Sequence, residues 1–314
     1  MKLQQLRYAC EVARRGLNVS AAAEALFTSQ PGISKQIKAL EQELGIEIFV
    51  RHGKRLTGLT EPGRAVLAIA ERILAEAANM KRAGEDFANE KLGSLTIATT
   101  HTQARYALPK AVTAFKRRYP DVQLVLHQGN PTQICEMVLR GEAEFAVATE
   151  QISEFPELVS LPCYQWNRCV VVPSRHPLAK VQPLTLEAVA KYPIITYDFA
   201  FANRKLVEKA FEQRGLKPKV VLTALDADVI KTYVELGLGV GIMAQMAFDP
   251  KRDRGLKALD ASHLFESSTT RLGIKRGAYL RRYAYEFIEL FVPHLPRSIV
   301  EPAVMGAEGS RYEL

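Results

Sequence analysis

The stretch LNVSAAAEALFTSQPGISKQIKALEQELGIEIFVRHGKRLTGLT, residues 17–60, decides the fold of the N-terminal part of the chain. Ser20 is placed to cap a helix in which Ala22, Ala23, Ala25 and Leu26 form a small-residue face, which lets a second helix approach closely. A tight turn at Phe27 to Ser29 follows. The next helix has Ser29 as its cap and Pro31 in its first turn, and Ile33, Ile37, Leu40 and Leu44 recur at helical spacing before Gly45. Ile46 to Phe49 and Leu56 to Leu59 then read as two short strands joined across Arg51-His52-Gly53-Lys54-Arg55, a turn with three permanent positive charges. With an amphipathic helix over Leu3 to Ala13 stopped at Gly16, the pattern predicts a mainly α, winged helix-turn-helix over residues 1–59.

Such a geometry suits duplex DNA, because the second helix of the pair enters the major groove with its N-terminal side chains toward base edges. Gln30 and Lys35 suit base edges, since Gln pairs bidentately with adenine and Lys donates to guanine. Ser29, Ser34 and Lys38 suit phosphates, which fix register without reading sequence. Arg51, Lys54 and Arg55 of the wing suit the backbone or the neighbouring minor groove. Residues 1–64 hold ten Lys/Arg against six Asp/Glu, so half of the chain's net +8 lies in about a fifth of its length.

Outward from the head, Thr60-Glu61-Pro62 starts a helix that runs to about Asn89 with Gly84 its single breaker, giving a linker over residues 60–92. Its apolar positions Val66, Ile69, Ile73, Ala77, Met80, Gly84 and Phe87 form a near-heptad seam, which predicts pairing with the same helix of a second chain. From Leu95 the order becomes strand, helix, strand, helix, strand, and a second such set begins near Cys169. Residues 93–314 therefore read as an α/β domain of two Rossmann-like lobes, with strand Arg271 to Lys275 and helix Leu280 to Phe291 returning to the first lobe and a frayed tail after Pro302. Within it Thr100, Thr102 and Gln103 follow the first strand and precede the first helix, and Thr149 follows the third strand. Hydroxyls, an amide and helix-start N–H groups converge there outside a strand's carboxyl end, without an acid or a metal ligand, as suits a small anion.

The head stretch resembles the winged helix-turn-helix of LysR-type transcriptional regulators, and the likeness extends over nearly the whole chain. The segments ATTHTQARYALP (98–109), HQGNPTQI (127–134), LPCYQWNR (161–168) and DADVIKTYVELGLGVG (226–241) resemble the branch that activates cysteine and sulfate-assimilation genes. The resemblance implies an effector domain like the type 2 periplasmic binding proteins, in which Thr100, Thr102, Gln103 and Thr149, with Trp166 and Ala227 near the cleft, bind N-acetylserine, O-acetylserine or a sulfate-like anion. It also implies promoter DNA and RNA polymerase as partners, a homo-oligomer that is a tetramer, and a cytoplasmic activator. The same likeness leaves open a sister regulator of sulfonate use under sulfur starvation. Relatives carry a further Thr where this chain has Ala202, so the second lobe lacks one hydroxyl donor, which Asn203 is placed to replace.

Other classes fit less well. At 314 residues the chain is long enough for two or three cores, and 47% apolar with 24% charged residues is an ordinary globular balance. Cys10, Cys135, Cys163 and Cys169 form no C-x-x-C pair and read as reduced thiols. No apolar run approaches the roughly 18 to 20 residues of a membrane span, and the N-terminus lacks a signal peptide's apolar core, so no membrane or export is expected. An enzyme is not expected either. The six histidines are scattered without ligand spacing, and no nucleophile elbow occurs. The Gly237, Gly239 and Gly241 run follows a helix rather than the strand a dinucleotide fingerprint needs, and reads as a turn into a strand. No cofactor and no metal are therefore expected. A solute-binding protein would share the two lobes but not the head.

Overall fold

The computed structural model describes residues 1–53, 55–88, 92–198 and 202–306 and divides into two units, Met1–Phe87 and Ala88–Leu314. In the first unit, α1 (Leu3–Arg14), α2 (Val19–Ala25) and α3 (Gln30–Leu44) surround a core in which Leu6, Val12, Ala22, Ile33, Ile37 and Leu40 are buried. The cap of α2 is Asn18, whose Oδ1 accepts from the Ala21 amide at 3.0 Å, so Ser20 falls inside the first turn. Ser29 caps α3 by accepting from the Gly32 amide at 3.3 Å, Pro31 sits in the first turn, and Gly45 ends the helix in the left-handed conformation.

The wing consists of β1 (Phe49–His52) and β2 (Arg55–Leu59), antiparallel, with Phe49 opposite Leu59 and His52 opposite Arg55. The first wing strand therefore begins three residues later than its apolar pattern predicts, and Arg51 and Arg55 belong to strands rather than to the turn. The cause is Glu41 on α3. Its buried carboxylate accepts from the amides of Ile48 at 2.9 Å and Phe49 at 3.3 Å, so this segment bonds to a side chain before it can join a ladder. The α4 helix (Glu61–Ala88) starts where the Gly63 amide donates to Thr60 Oγ1 at 2.9 Å. Gly63 is required there, since a Cβ would lie 2.1 Å from the Ile48 carbonyl oxygen. Leu67 and Ala70 of α4 are buried, and Val66 and Ile73 of the anticipated seam pack against the same head core. Ile69, Met80 and Phe87 stay on the exposed side, with Phe87 at 85%.

The second unit begins with β3 (Gly93–Thr99), a π-helical turn (Gln103–Ala107), α5 (Pro109–Arg118), β4 (Val122–Gln128), α6 (Pro131–Leu139) and β5 (Phe145–Ala148). Pro109 opens a new helix after the π-helical turn, because its ring favours the first helical position and offers no N–H to the turn before it. Next comes β6 (Leu158–Trp166), then β7 (Arg168–Pro173), α7 (Leu186–Val189), β8 (Ile194–Tyr197), α8 (Ala202–Glu212), β9 (Val220–Ala224), α9 (Ala227–Glu235), β10 (Val240–Ala244), β11 (Leu256–Asp260), β12 (Ser268–Lys275), α10 (Arg282–Phe291) and α11 (Arg297–Met305). One five-stranded sheet has the order β4-β3-β5-β12-β6 and the other β11-β7-β10-β8-β9. The two-lobed α/β architecture is thus the observed one. The chain passes from the first lobe to the second at Trp166-Asn167-Arg168 and returns between Asp260 and Ser268, after which β12 and α10 complete the first lobe.

In the Gly237-Gly239-Gly241 run, Gly237 takes a left-handed conformation (φ 79°), and Gly239 and Gly241 are required by close packing. A Cβ on Gly239 would lie 2.4 Å from the Pro193 carbonyl oxygen, and one on Gly241 2.9 Å from Ile230 and Val234 side-chain carbons. Of the tail expected to fray after Pro302, residues 303–305 continue α11, and residues 307–314 lie outside the described residues. No helix among the described residues is long and apolar enough to cross a membrane.

Candidate functional site

On α3 the sequence period separates two faces. Ile33, Ile37 and Leu40 point into the core, while Gln30, Lys35 and Lys38 are exposed and Ser34 is half-buried. Gln30, Ser34 and Lys38 recur every four residues and so form one ridge from the helix N-terminus, with Ser29 at its head. Arg55 stands exposed on β2. Arg51, half-buried on β1, ion-pairs with Glu41, which fastens the wing to α3. Lys54 lies outside the described residues.

In the second unit, one small cavity of about 20 Å³ of water-accessible space is lined by Thr100, Thr102, Gln103, Thr149, Trp166, Tyr197 and Ala244. Five residues anticipated from sequence and resemblance therefore share one wall. Thr100 and Thr149 sit just past the carboxyl ends of β3 and β5, and Trp166 is the last residue of β6. Thr149 Oγ1 and Trp166 Nε1 are buried without a hydrogen-bond partner, which costs free energy unless a guest supplies acceptors. The Gln103 side chain, by contrast, is already engaged. Its Nε2 donates to Thr270 Oγ1 at 3.0 Å and its Oε1 accepts from the Tyr164 hydroxyl, so its amide braces the wall. What Gln103 and Thr102 still offer are main-chain N–H groups in the first turn of a helix, which have no intrahelical acceptor.

Two lining residues escaped the sequence reading. Tyr197 ends β8 and Ala244 ends β10, so both obey in the second lobe the strand-end rule that singled out Thr100 and Thr149 in the first. Burial pushes the Tyr197 hydroxyl up to about 12, which keeps it a neutral donor across the physiological range. Ala227 starts α9 and is packed in the second lobe's core with Val171 and Ile195, away from the cavity lining. Ala202 opens α8.

A second constellation spans the lobes. The Tyr106 hydroxyl donates to Asp228 Oδ1 at 2.7 Å, Arg105 Nε lies 3.0 Å from Asp228 Oδ2, and Lys231 Nζ lies 3.3 Å from Oδ1 and 3.1 Å from Asp253 Oδ1. Burial alone would raise the Asp228 pKa, but the Tyr106 hydroxyl, Lys231 and Arg105 together hold it below the usual carboxylate range. His101, Asp226 and Asp228 also approach within 4.8 Å of one another, a set no sequence spacing shows. Within this set the Asp228 carboxylate already pairs with Arg105 and Lys231.

The comparisons agree with this geometry. The model for bacterial regulatory helix-turn-helix proteins of the lysR family matches residues 3–64, and that for the LysR substrate binding domain matches residues 88–296. The chain is a LysR-family transcriptional regulator. The regulator is 57% identical over 314 residues to the HTH-type transcriptional regulator CysB of Burkholderia cenocepacia, covering 100% of both chains. It is 56% identical over 295 residues to the regulator SsuR of the same organism, covering 94% of this chain and 96% of that one. The crystal structure of the cofactor-binding domain of the Cbl transcriptional regulator matches with a TM-score of 0.66 at 44% identity, over 69% of this chain and 95% of that one. The regulator is thus of the CysB/Cbl type, and its relatives are transcriptional regulators rather than enzymes.

Proposed function

We propose that this regulator is a cytoplasmic activator of sulfur-assimilation and cysteine-biosynthesis genes, responding to N-acetylserine, O-acetylserine or a sulfate-like anion in the cavity between Thr100, Thr102, Thr149 and Trp166. The observation that carries the reading is the pair of buried, unpartnered groups on its wall, Thr149 Oγ1 and Trp166 Nε1, beside N–H groups at a helix start. A donor-rich, cation-free lining takes a guest rich in acceptors and holds it by charge-assisted hydrogen bonds. Because the lining draws on both lobes, a guest favours the arrangement in which both reach it, and its differential affinity biases the lobes.

In this reading Gln30 and Lys35 meet base edges of promoter DNA, while Ser29, Ser34, Lys38, Lys54 and Arg55 hold phosphates. Arg51 acts through the wing it anchors. Residues 60–92 link the DNA-binding segment to the effector domain, and the exposed row Ile69, Met80 and Phe87 suits the same helix of a second chain, in a homotetramer that meets RNA polymerase at the promoter. Calorimetry of the full chain against N-acetylserine, O-acetylserine, sulfate and adenosine phosphosulfate ranks the guests, and footprints on a sulfur-assimilation promoter should change with the tightest one. Identical footprints with and without every guest would refute the proposal.

A further inference from the structure

We propose that Arg168 is the positioning residue of this cavity: it fixes the Trp166 ring and joins the two chain crossings, so that occupancy is passed to the hinge. The inference rests on reading the cavity as an anion site. The first crossing is Trp166-Asn167-Arg168, and the second ends at Ser268. Arg168 is 2% exposed. Its Nη1 donates to the Glu266 carbonyl at 2.5 Å and its Nη2 to Ser268 Oγ at 2.7 Å, both on the returning crossing, while its guanidinium carbon lies 5.3 Å from the centroid of the Trp166 ring. The backbone repeats the connection, since Trp166 is registered opposite Ser268 in one sheet and Arg168 opposite Ala244 in the other. Trp166 and Ala244 both line the cavity.

One side chain thus touches the wall of the cavity and the segment that returns from the second lobe to the first. A movement of the Trp166 ring toward an anion on its Nε1 displaces the guanidinium it stacks on, and the guanidinium carries Glu266 and Ser268 with it. Lysine does not reproduce this, because it lacks the planar fork that bonds two acceptors while stacking on an indole. A buried arginine is costly to desolvate, so its contribution at this crossing is to geometry rather than to stability.

The test uses the single tryptophan of the full-length chain, whose emission reports Trp166 alone. Sodium sulfate and N-acetylserine are titrated at constant ionic strength into the wild type, R168K, S268A and T149V, with emission and calorimetric affinity recorded side by side. The expected result is a saturable change in wild-type emission, displaced to roughly 30-fold higher ligand in T149V. R168K should show a shifted resting emission and affinity weakened on the order of tenfold, with the ligand-induced change in emission reduced. S268A, which removes one acceptor and leaves the charge, should fall between wild type and R168K and decides the matter if R168K does not fold. A wild-type response that T149V displaces to higher ligand while R168K and S268A leave it unaltered overturns the proposal and spares the anion reading. No response of the wild type to either probe overturns the anion reading, and the proposal with it.

Discussion

On α3 the side chains that face away from the core, Gln30, Lys35 and Lys38, stand in solvent, whereas in the second unit Thr100, Gln103, Thr149 and Trp166 are buried around a cavity. In the function proposed above, the first surface would work by charges that water and salt screen, its partner bringing a field of phosphates to meet them. The second would work by fixed donors in a low-dielectric pocket, where each hydrogen bond counts for more and an unmet one is costly. Substitutions on the two surfaces should therefore differ in kind. On α3 they should change affinity and its salt dependence while leaving folding alone, and in the cavity they should change affinity at every ionic strength.

The largest effect should come from a residue that breaks this contrast by being buried in the head. Glu41 accepts two amides and pairs with Arg51, so Glu41→Ala leaves two N–H groups and a half-buried guanidinium without their acceptor. We expect a loss of about 3 kcal/mol of stability, the lower end for a broken buried pair because Arg51 is partly solvated. Chemical denaturation of the full chain, followed by circular dichroism, would show the head's transition moving to lower denaturant, and DNA binding should fall with it. An unchanged transition would mean that the wing holds its place without Glu41.

Next in size is Thr149→Val. With an anion bound as proposed, removing this hydroxyl donor should cost about 2 kcal/mol, roughly a 30-fold weaker Kd, by calorimetry with the tightest guest. The unfolding temperature should stay the same or rise, because the hydroxyl has no partner within the protein. A cavity residue that loses function without losing stability is the sharpest sign that the pocket is built for a guest.

These cases also show what was legible in the sequence. The α3 helix was readable because Ile33, Ile37 and Leu40 mark its buried face and Ser29 and Gly45 its ends, all local signals. The wing was displaced in the reading because its start depends on Glu41, an acceptor seven and eight residues away that no strand pattern contains. The β6 strand escaped because Pro162 interrupts LVSLPCYQW; it is tolerated since β6 is an edge strand, with the irregular step in register between Thr270 and Arg271 facing it. The cavity's first-lobe residues were legible because phosphate-like guests favour strand ends and helix starts. Tyr197 and Ala244 obey that rule but have no hydroxyl run to draw attention. The Tyr106–Asp228 contact joins residues 122 positions apart and is visible only in three dimensions.

On the exposed surface, Lys35→Ala should weaken promoter binding by about 1 to 2 kcal/mol and relax preference at the base it reads. Arg55→Ala should weaken it less, equally across sequences, and lower the salt slope by about 1. Fluorescence anisotropy with a labelled promoter duplex at several salt concentrations separates the two, and neither variant should alter calorimetric binding of the guest. Equal loss of DNA and guest binding in either variant would erase the contrast between the surfaces.

The smallest effect tests the contact that holds the lobes together rather than either binding surface. Asp228→Asn removes the charge that Arg105 faces across the lobes and Lys231 faces one turn away on the same helix, and because the carboxylate is partly solvated the cost should be about 1 kcal/mol at neutral pH. The folded-state pKa of Asp228 lies below its unfolded value, so the stabilisation is complete above about pH 4 and fades as the pH falls through the folded value. Urea midpoints of the wild type and Asp228→Asn should differ at pH 7 and converge as the pH is lowered past 4. Midpoints that stay equally far apart at every pH would show that the difference arises from lost packing, and that the carboxylate charge does not hold the lobes.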